Sequence, residues 1–183
     1  NTFIGGQGND GFYDDRETSE RYIYNLGDGN DFIYDYGGID AIIFGEGITK
    51  DNIRFSKEPE NLVIWFDIEG HENDIICINN YFIDDKNKIE LIKFADGSVI
   101  ENLHQYVSEI YSRDEDIVMG ENIYTAGLWD NADLSVTGNE LDNLIIGNAE
   151  SMIDELVSYG VEKDKICIIP NGVDASRFTP ELD

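Results

Sequence analysis

The chain has 183 residues, with 39 acidic side chains against 12 basic ones and a formal net charge of -27. That balance argues against nucleic acid as a partner, because phosphate contacts need clustered Lys and Arg, and it makes a compact state repel itself unless cations intervene. Yet 41% of the residues are hydrophobic and 11% aromatic, too many for a disordered acidic tail, so a folding protein with a charge problem is expected.

The first elements are glycine-rich turns followed by short apolar runs. Gly5-Gly6-Gln7-Gly8-Asn9-Asp10-Gly11-Phe12-Tyr13 fits the nonapeptide G-G-x-G-x-D-x-U-x, where U is a large apolar residue. Leu26 to Tyr34 fits again, losing only the first glycine, and Asp35 to Ile43 keeps Gly38, Asp40 and the apolar anchor Ile42. Asp31 and Asp40 stand 9 residues apart, whereas Asp10 and Asp31 stand 21 apart, and a worn copy with Glu20 in the aspartate position fits between them. Glycines allow positive φ without a Cβ penalty, so the turn can curl its carbonyls inward and end on a carboxylate. Calcium, a hard cation wanting six to eight oxygens, suits such a turn.

From Asn52 to Glu101 the pattern changes to period two: Ile53 and Phe55, then Leu62, Ile64, Phe66 and Ile68, then Ile76 and Ile78, then Ile92 and Phe94. Reversals are expected at Gly70 to Asn73 and at Asp96-Gly97, a strong hairpin signal. Residues 49–101 therefore read as an antiparallel cap. Cys77 and Cys167 have no metal-ligand spacing and read as two buried strand thiols; His71 and His104 are isolated. Asp84 and Asp85 carry little information in a chain so rich in acids.

Positions 1 to about 100 resemble the haemolysin-type calcium-binding (RTX) family, in the three repeats and in the following "NLVIWF" and "IELIKFADGSVI". The resemblance implies a mainly β fold: a short parallel β-roll over 1–48, with calcium between stacked turns, closed by the antiparallel cap. It implies Asp10, Asp31 and Asp40 as carboxylate ligands, with Gly6, Gly8, Gly27, Gly29 and Gly38 shaping the carbonyl cage. It also implies a secreted or extracellular protein.

Leu103, Tyr106, Val107 and Ile110 have the i, i+3, i+4, i+7 spacing of a short amphipathic helix, within a connecting segment assigned to 102–136. "TGNELDNLIIGN", 137–148, restarts the repeat in degenerate form, with Gly138, Asp142 and Leu144 in register. From 149 to 183 the pattern is a helix then a strand. Ser151 is the N-cap, Met152, Ile153, Leu156 and Val157 form the apolar face, Gly160 is the C-cap, and "KICII" precedes Pro170. Through Ile169-Pro170-Asn171-Gly172-Val173-Asp174 with Arg177, Phe178 and Pro180, this tail resembles the inter-lobe segment of two-lobed glycosyltransferases.

No G-x-S-x-G, H-E-x-x-H or phosphate-binding loop is present, and no apolar run approaches a membrane span. The expected role is a calcium-binding structural module rather than an enzyme. Because Asn1 falls inside a motif, the rest of a larger parent protein is expected to be missing.

Overall fold

A computed structural model describes residues 1–129 and 134–147, together with the backbone of 166–168. The chain is mainly β and divides into two units, Asn1–Tyr111 and Ser112–Asp183.

In the first unit, β1 (Thr2–Ile4), β2 (Gly11–Tyr13), β3 (Arg21–Tyr24), β4 (Asn30–Tyr34) and β5 (Ala41–Phe44) pass alternately into two sheets. β1, β3 and β5 form one parallel ladder, with Arg21 opposite Ala41. β2 and β4 begin the other, with Gly11 opposite Phe32 and Tyr13 opposite Tyr34. β6 (Ile53–Glu58) and β7 (Asn61–Phe66) then make an antiparallel hairpin, and β7 pairs antiparallel with β8 (Ile75–Ile78). β9 (Leu91–Lys93) and β10 (Val99–Glu101) make a second hairpin, turned at Gly97 with φ +85°. β11 (Val107–Ser112) runs parallel to β6.

Two expectations need correction. The segment 49–101 is not purely antiparallel, because β8 lies parallel to β4 and β9 parallel to β5, so both sheets are mixed. Period-two patterning gives each strand's faces but not the direction of its neighbour. The helix expected over 102–111 is a single 3-10 turn, Leu103–Tyr106, that leads directly into β11. Val107 pairs with Phe55 there, and the β-branched Val107 and Ile110 suit a strand better than a helix.

Alternation buries one face of β3 and β4, whereas β7 and β8 bury consecutive residues. Asp31 and Ile33 of β4 point inward while Phe32 and Tyr34 face out. Tyr22 and Ile42 from one sheet and Ile33 and Ile76 from the other line the same small cavity, so the two sheets face each other across the core. Tyr24 stacks on Phe66 with centroids 5.1 Å apart, and Phe44 meets Phe66 edge-on at 5.8 Å. Cys77 is a buried strand thiol, and burial raises its pKa to about 11.

In the second unit β12 (Ile117–Val118) pairs parallel with β14 (Val136–Thr137), and β13 (Thr125–Leu128) pairs parallel with β15 (Leu144–Gly147). β16 (Ile166–Ile168) lies parallel to β15 and coincides with the strand expected at "KICII". The expected helix, the Pro170 turn and the Cys167 side chain lie outside the described residues.

Close stacking of turns in the first unit makes glycine obligatory at two places. A Cβ on Gly29 would lie 2.3 Å from the Gly8 carbonyl oxygen, and one on Gly38 would lie 2.0 Å from that of Thr18. Both residues also have positive φ, +100° and +138°. Gly38→Ala should therefore destabilise the fold by about 3 kcal/mol or more. Gly70→Ala, also at positive φ but with open space around it, should cost only about 1–2 kcal/mol. Urea melts at saturating calcium measure both, and equal losses would refute the close approach.

Candidate metal centre

Asp10, Glu20 and Asp40 stand just before β2, β3 and β5, and Asp31 is the second residue of β4; the strand registers decide which acids meet. Gly11 opposite Phe32 puts Asp10 beside Asp31, and Arg21 opposite Ala41 puts Glu20 beside Asp40. The three aspartates expected as ligands are thus divided: Asp10 and Asp31 share one stack of turns, and Asp40 stands in the other with Glu20.

One bonding rule governs both stacks. The Asp10 amide donates to Asp31 Oδ1 at 3.0 Å, the Glu20 amide to Asp40 Oδ1 at 2.7 Å, and the Asp40 amide to Glu90 Oε2 at 2.7 Å. In each case the carboxylate of one acid accepts the backbone N–H of an acid in an adjacent turn. This fixes one oxygen of Asp31, Asp40 and Glu90.

In the glycine stack, the Gly8 amide donates to the Asp28 carbonyl at 2.8 Å, and Gly6, Gly8, Gly27 and Gly29 all have positive φ. Asp28 Oδ2 accepts from the Asn25 amide at 2.7 Å, while Asp10 Oδ2 is buried without a partner. Burial, reinforced by the charges of Asp10, Asp28 and Asp74, raises the Asp31 pKa to about 6 against the bond from the Asp10 amide.

In the other stack four acids converge. Asp14 follows β2 and Asp35 follows β4, brought together by the pairing of Tyr13 with Tyr34; Glu20 and Asp40 precede β3 and β5. All four are at least nine-tenths buried. Ligand oxygens of Glu20, Asp35 and Asp40 lie within 4.8 Å of one another. The Tyr22 hydroxyl donates to Asp35 Oδ2 at 2.5 Å, and that of Thr18 to Glu20 Oε1 at 2.5 Å. Arg16 reaches Asp14 Oδ1 at 2.9 Å. Although burial opposes ionisation of Asp14, the hydrogen bond and charge of Arg16 act against it and its pKa is lowered. Among the described residues no Lys or Arg pairs with Glu20, Asp35 or Asp40.

Asp14 Oδ2, Glu20 Oε2, Asp35 Oδ1 and Asp40 Oδ2 remain buried with no protein partner. Two carboxylates at such spacing repel by about 3 kcal/mol or more at an effective dielectric near 20, and several such pairs rival the ~5–15 kcal/mol stability of a whole protein. The fully ionised cluster therefore needs protons or a cation. The donors are all hard oxygens, without His or Cys, and two oxygens on opposite sides of one calcium ion lie about 5 Å apart. These residues fit calcium: Glu20, Asp35, Asp40 and Asp14 would hold it here, and Asp10 with Asp31 in the glycine stack.

Asp14, Asp35 and Glu90 were not among the residues singled out in the sequence. Asp14 and Asp35 share the 21-residue offset of Asp10 and Asp31, a signal obscured by the lack of glycines between Asp14 and Glu20. His71 pairs with Asp74 at 2.9 Å. Asp84 caps the 3-10 turn Asp85–Asn87, and Asp85 pairs with Lys88.

The second unit handles its turns differently. Asn139 Nδ2 donates to the carbonyls of Gly120 and Ile123 at 2.5 and 2.7 Å, and the Asn139 amide donates to Asn143 Oδ1 at 3.1 Å. A neutral side-chain amide here bridges backbone carbonyls of the neighbouring turn.

Residues 67–102 match the haemolysin-type calcium binding protein related domain. The matched stretch holds β8, β9 and β10, whose β8 and β9 extend the two parallel ladders. It supports an RTX-like calcium-binding segment and gives no support to the glycosyltransferase resemblance of the tail. No curated protein matches the chain.

Burial is the largest cause that raises Asp35 to about 6 and Asp40 to about 8. With Asp31 also near 6, the folded ion-free chain holds more protons than the unfolded one, whose carboxyls titrate near 3.8. This contribution to stability is complete below the unfolded value and is lost as pH rises through 6 and then 8. In EDTA the fold should therefore strengthen from pH 8.5 to pH 5.5, read by circular dichroism and melting. A stability that instead increases with pH over that window would contradict the buried-carboxylate assignment.

Proposed function

We propose that this chain is a calcium-binding structural module of an RTX-type secreted protein, folding when calcium binds after export. The observation that carries the reading is the set of buried, unpartnered carboxylate oxygens on Asp10, Asp14, Glu20, Asp35 and Asp40. An ion that binds only the folded chain adds its binding free energy to folding. In calcium-poor surroundings the acids repel; in calcium-rich surroundings they become ligands.

The finer architecture proposed is a short parallel β-roll. Its support is the alternation of β1 to β5 between two facing sheets, each paired in parallel, with turns closely stacked where Gly29 meets Gly8 and where Gly38 meets Thr18. The role proposed is structural rather than catalytic: the buried, unpartnered side-chain oxygens belong to carboxylates closed off from solvent. The activity of a parent protein would reside outside this chain, and calcium would lock the module as a rigid folded part of it.

Circular dichroism and thermal melting of the chain at neutral pH, in EDTA and then in millimolar calcium, test the reading. The β signal and the cooperative transition should strengthen plainly on adding calcium and revert with chelator. Identical spectra and melting temperatures in the two conditions would sink it.

A further inference from the structure

We propose that the side-chain amide of Asn139 takes the place of a cation in the turn stack of the second unit, so that this stack closes without calcium and stays closed when calcium is withdrawn. The contrast with the first unit rests on the calcium-binding reading above. The claim about Asn139 goes beyond that reading and does not depend on it.

The strand register shows what has changed. Ile145, 1% exposed, is the inward anchor of β15, whereas Leu144 faces out. The repeat over 137–148 is therefore shifted by one residue from the register expected of it, and Asn143, not Asp142, stands in the sixth position. Two contacts agree with that placement. The Leu144 amide donates to the Tyr124 carbonyl at 2.7 Å, as the Phe32 amide donates to the Asp10 carbonyl at 2.8 Å. This sets Asn143 in the place of Asp31 and Tyr124 in the place of Asp10. A Cβ on Gly138 would lie 2.6 Å from Asn143 Oδ1, as one on Gly5 would lie 2.5 Å from Asp10 Oδ2. The acid pair of the glycine stack has become a tyrosine and a neutral amide.

Asn139 completes the exchange. Its Nδ2 donates to the Gly120 and Ile123 carbonyls of the neighbouring turn, while its Oδ1 accepts the Leu141 amide at 2.9 Å and Asn143 Nδ2 at 2.8 Å. Its backbone amide donates to Asn143 Oδ1. Carbonyl oxygens only accept, so the nitrogen must face them, and both of its protons are used. Two backbone oxygens thus converge on one positively polarised atom, as they would on a hard cation, with no carboxylate drawn out of water to hold it. The buried side-chain oxygens left without a partner among the described residues are those of Asp10, Asp14, Glu20, Asp35 and Asp40, and all belong to the first unit.

A change of one group reverses the arrangement. Asn139→Asp sets a carboxylate oxygen against two carbonyl oxygens, a repulsive contact that a cation would convert into ligation. Asn139→Ala removes the donor and supplies no ligand. The two variants therefore separate a stack that needs a positive group at this point from one that merely tolerates the amide.

The test is hydrogen exchange at the Leu144 amide, resolved by NMR on the full chain at neutral pH, in EDTA and in millimolar calcium. In the unaltered chain this amide should exchange at least about tenfold more slowly than in an unfolded chain under both conditions, with the two rates within about twofold of each other. Asn139→Asp should lose the protection in EDTA and regain it in calcium; Asn139→Ala should lose it in both. Protection of the unaltered chain that appears only with calcium would overturn the inference, and so would protection in EDTA that survives either substitution. If Asn139→Asp stays unprotected in calcium, no cation can replace the amide and the inference fails. The amides of β3 and β5 in the same samples report on the first unit: if calcium leaves them unchanged, the calcium-binding reading fails while the claim about Asn139 stands or falls on Leu144.

Discussion

The structure of the first unit depends on one repeated contact, a backbone N–H of one turn received by the carboxylate of an acid in the next. It appears from Asp10 to Asp31, from Glu20 to Asp40 and from Asp40 to Glu90. The contact satisfies a buried amide and fixes the spacing of successive turns, but it draws an anion out of water. Asp31 and Asp40 are almost wholly buried as a result. No Lys or Arg among the described residues pairs with either of them, so the compensation must come from protons or from an ion outside the chain. The acidic composition and the parallel ladders are thus two aspects of one constraint.

Glycine enters for the same reason. Turns whose carboxylates reach the neighbouring backbone must approach closely, and the approach of Gly29 to Gly8 and of Gly38 to Thr18 leaves no room for a Cβ. The second unit shows an alternative solution. Asn139 bridges carbonyls with its own amide, which brings a hydrogen-bond donor without a charge.

Much of this was legible in the sequence because the repeat is local. The G-G-x-G-x-D pattern marks Asp10 and Asp31, and the inward anchor Ile33 between outward Phe32 and Tyr34 follows from period two. The Asp96-Gly97 turn marks the last hairpin, β9 with β10. What the sequence hid is non-local. The 9-residue step from Asp31 to Asp40 does not say which acid each one meets, and strand registers place the two in different stacks. Asp14 and Asp35 meet because β2 and β4 pair, information carried by a 21-residue offset and no motif. Leu103 to Ile110 had helical spacing, but the free edge of β6 offered Val107 a ladder partner, and tertiary pairing overrode a weak local pattern.

Amide hydrogen exchange, resolved by NMR, tests the central claim most directly at the amides of Glu20 and Asp40, which donate to carboxylates in successive turns. If an external cation compensates those carboxylates, both amides should exchange near unfolded-chain rates in EDTA at pH 8 and become strongly protected in millimolar calcium, in step with the strands β3 and β5 that they precede. Equal and strong protection in both conditions would show that the buried acids need no cation from outside the chain and would contradict the account.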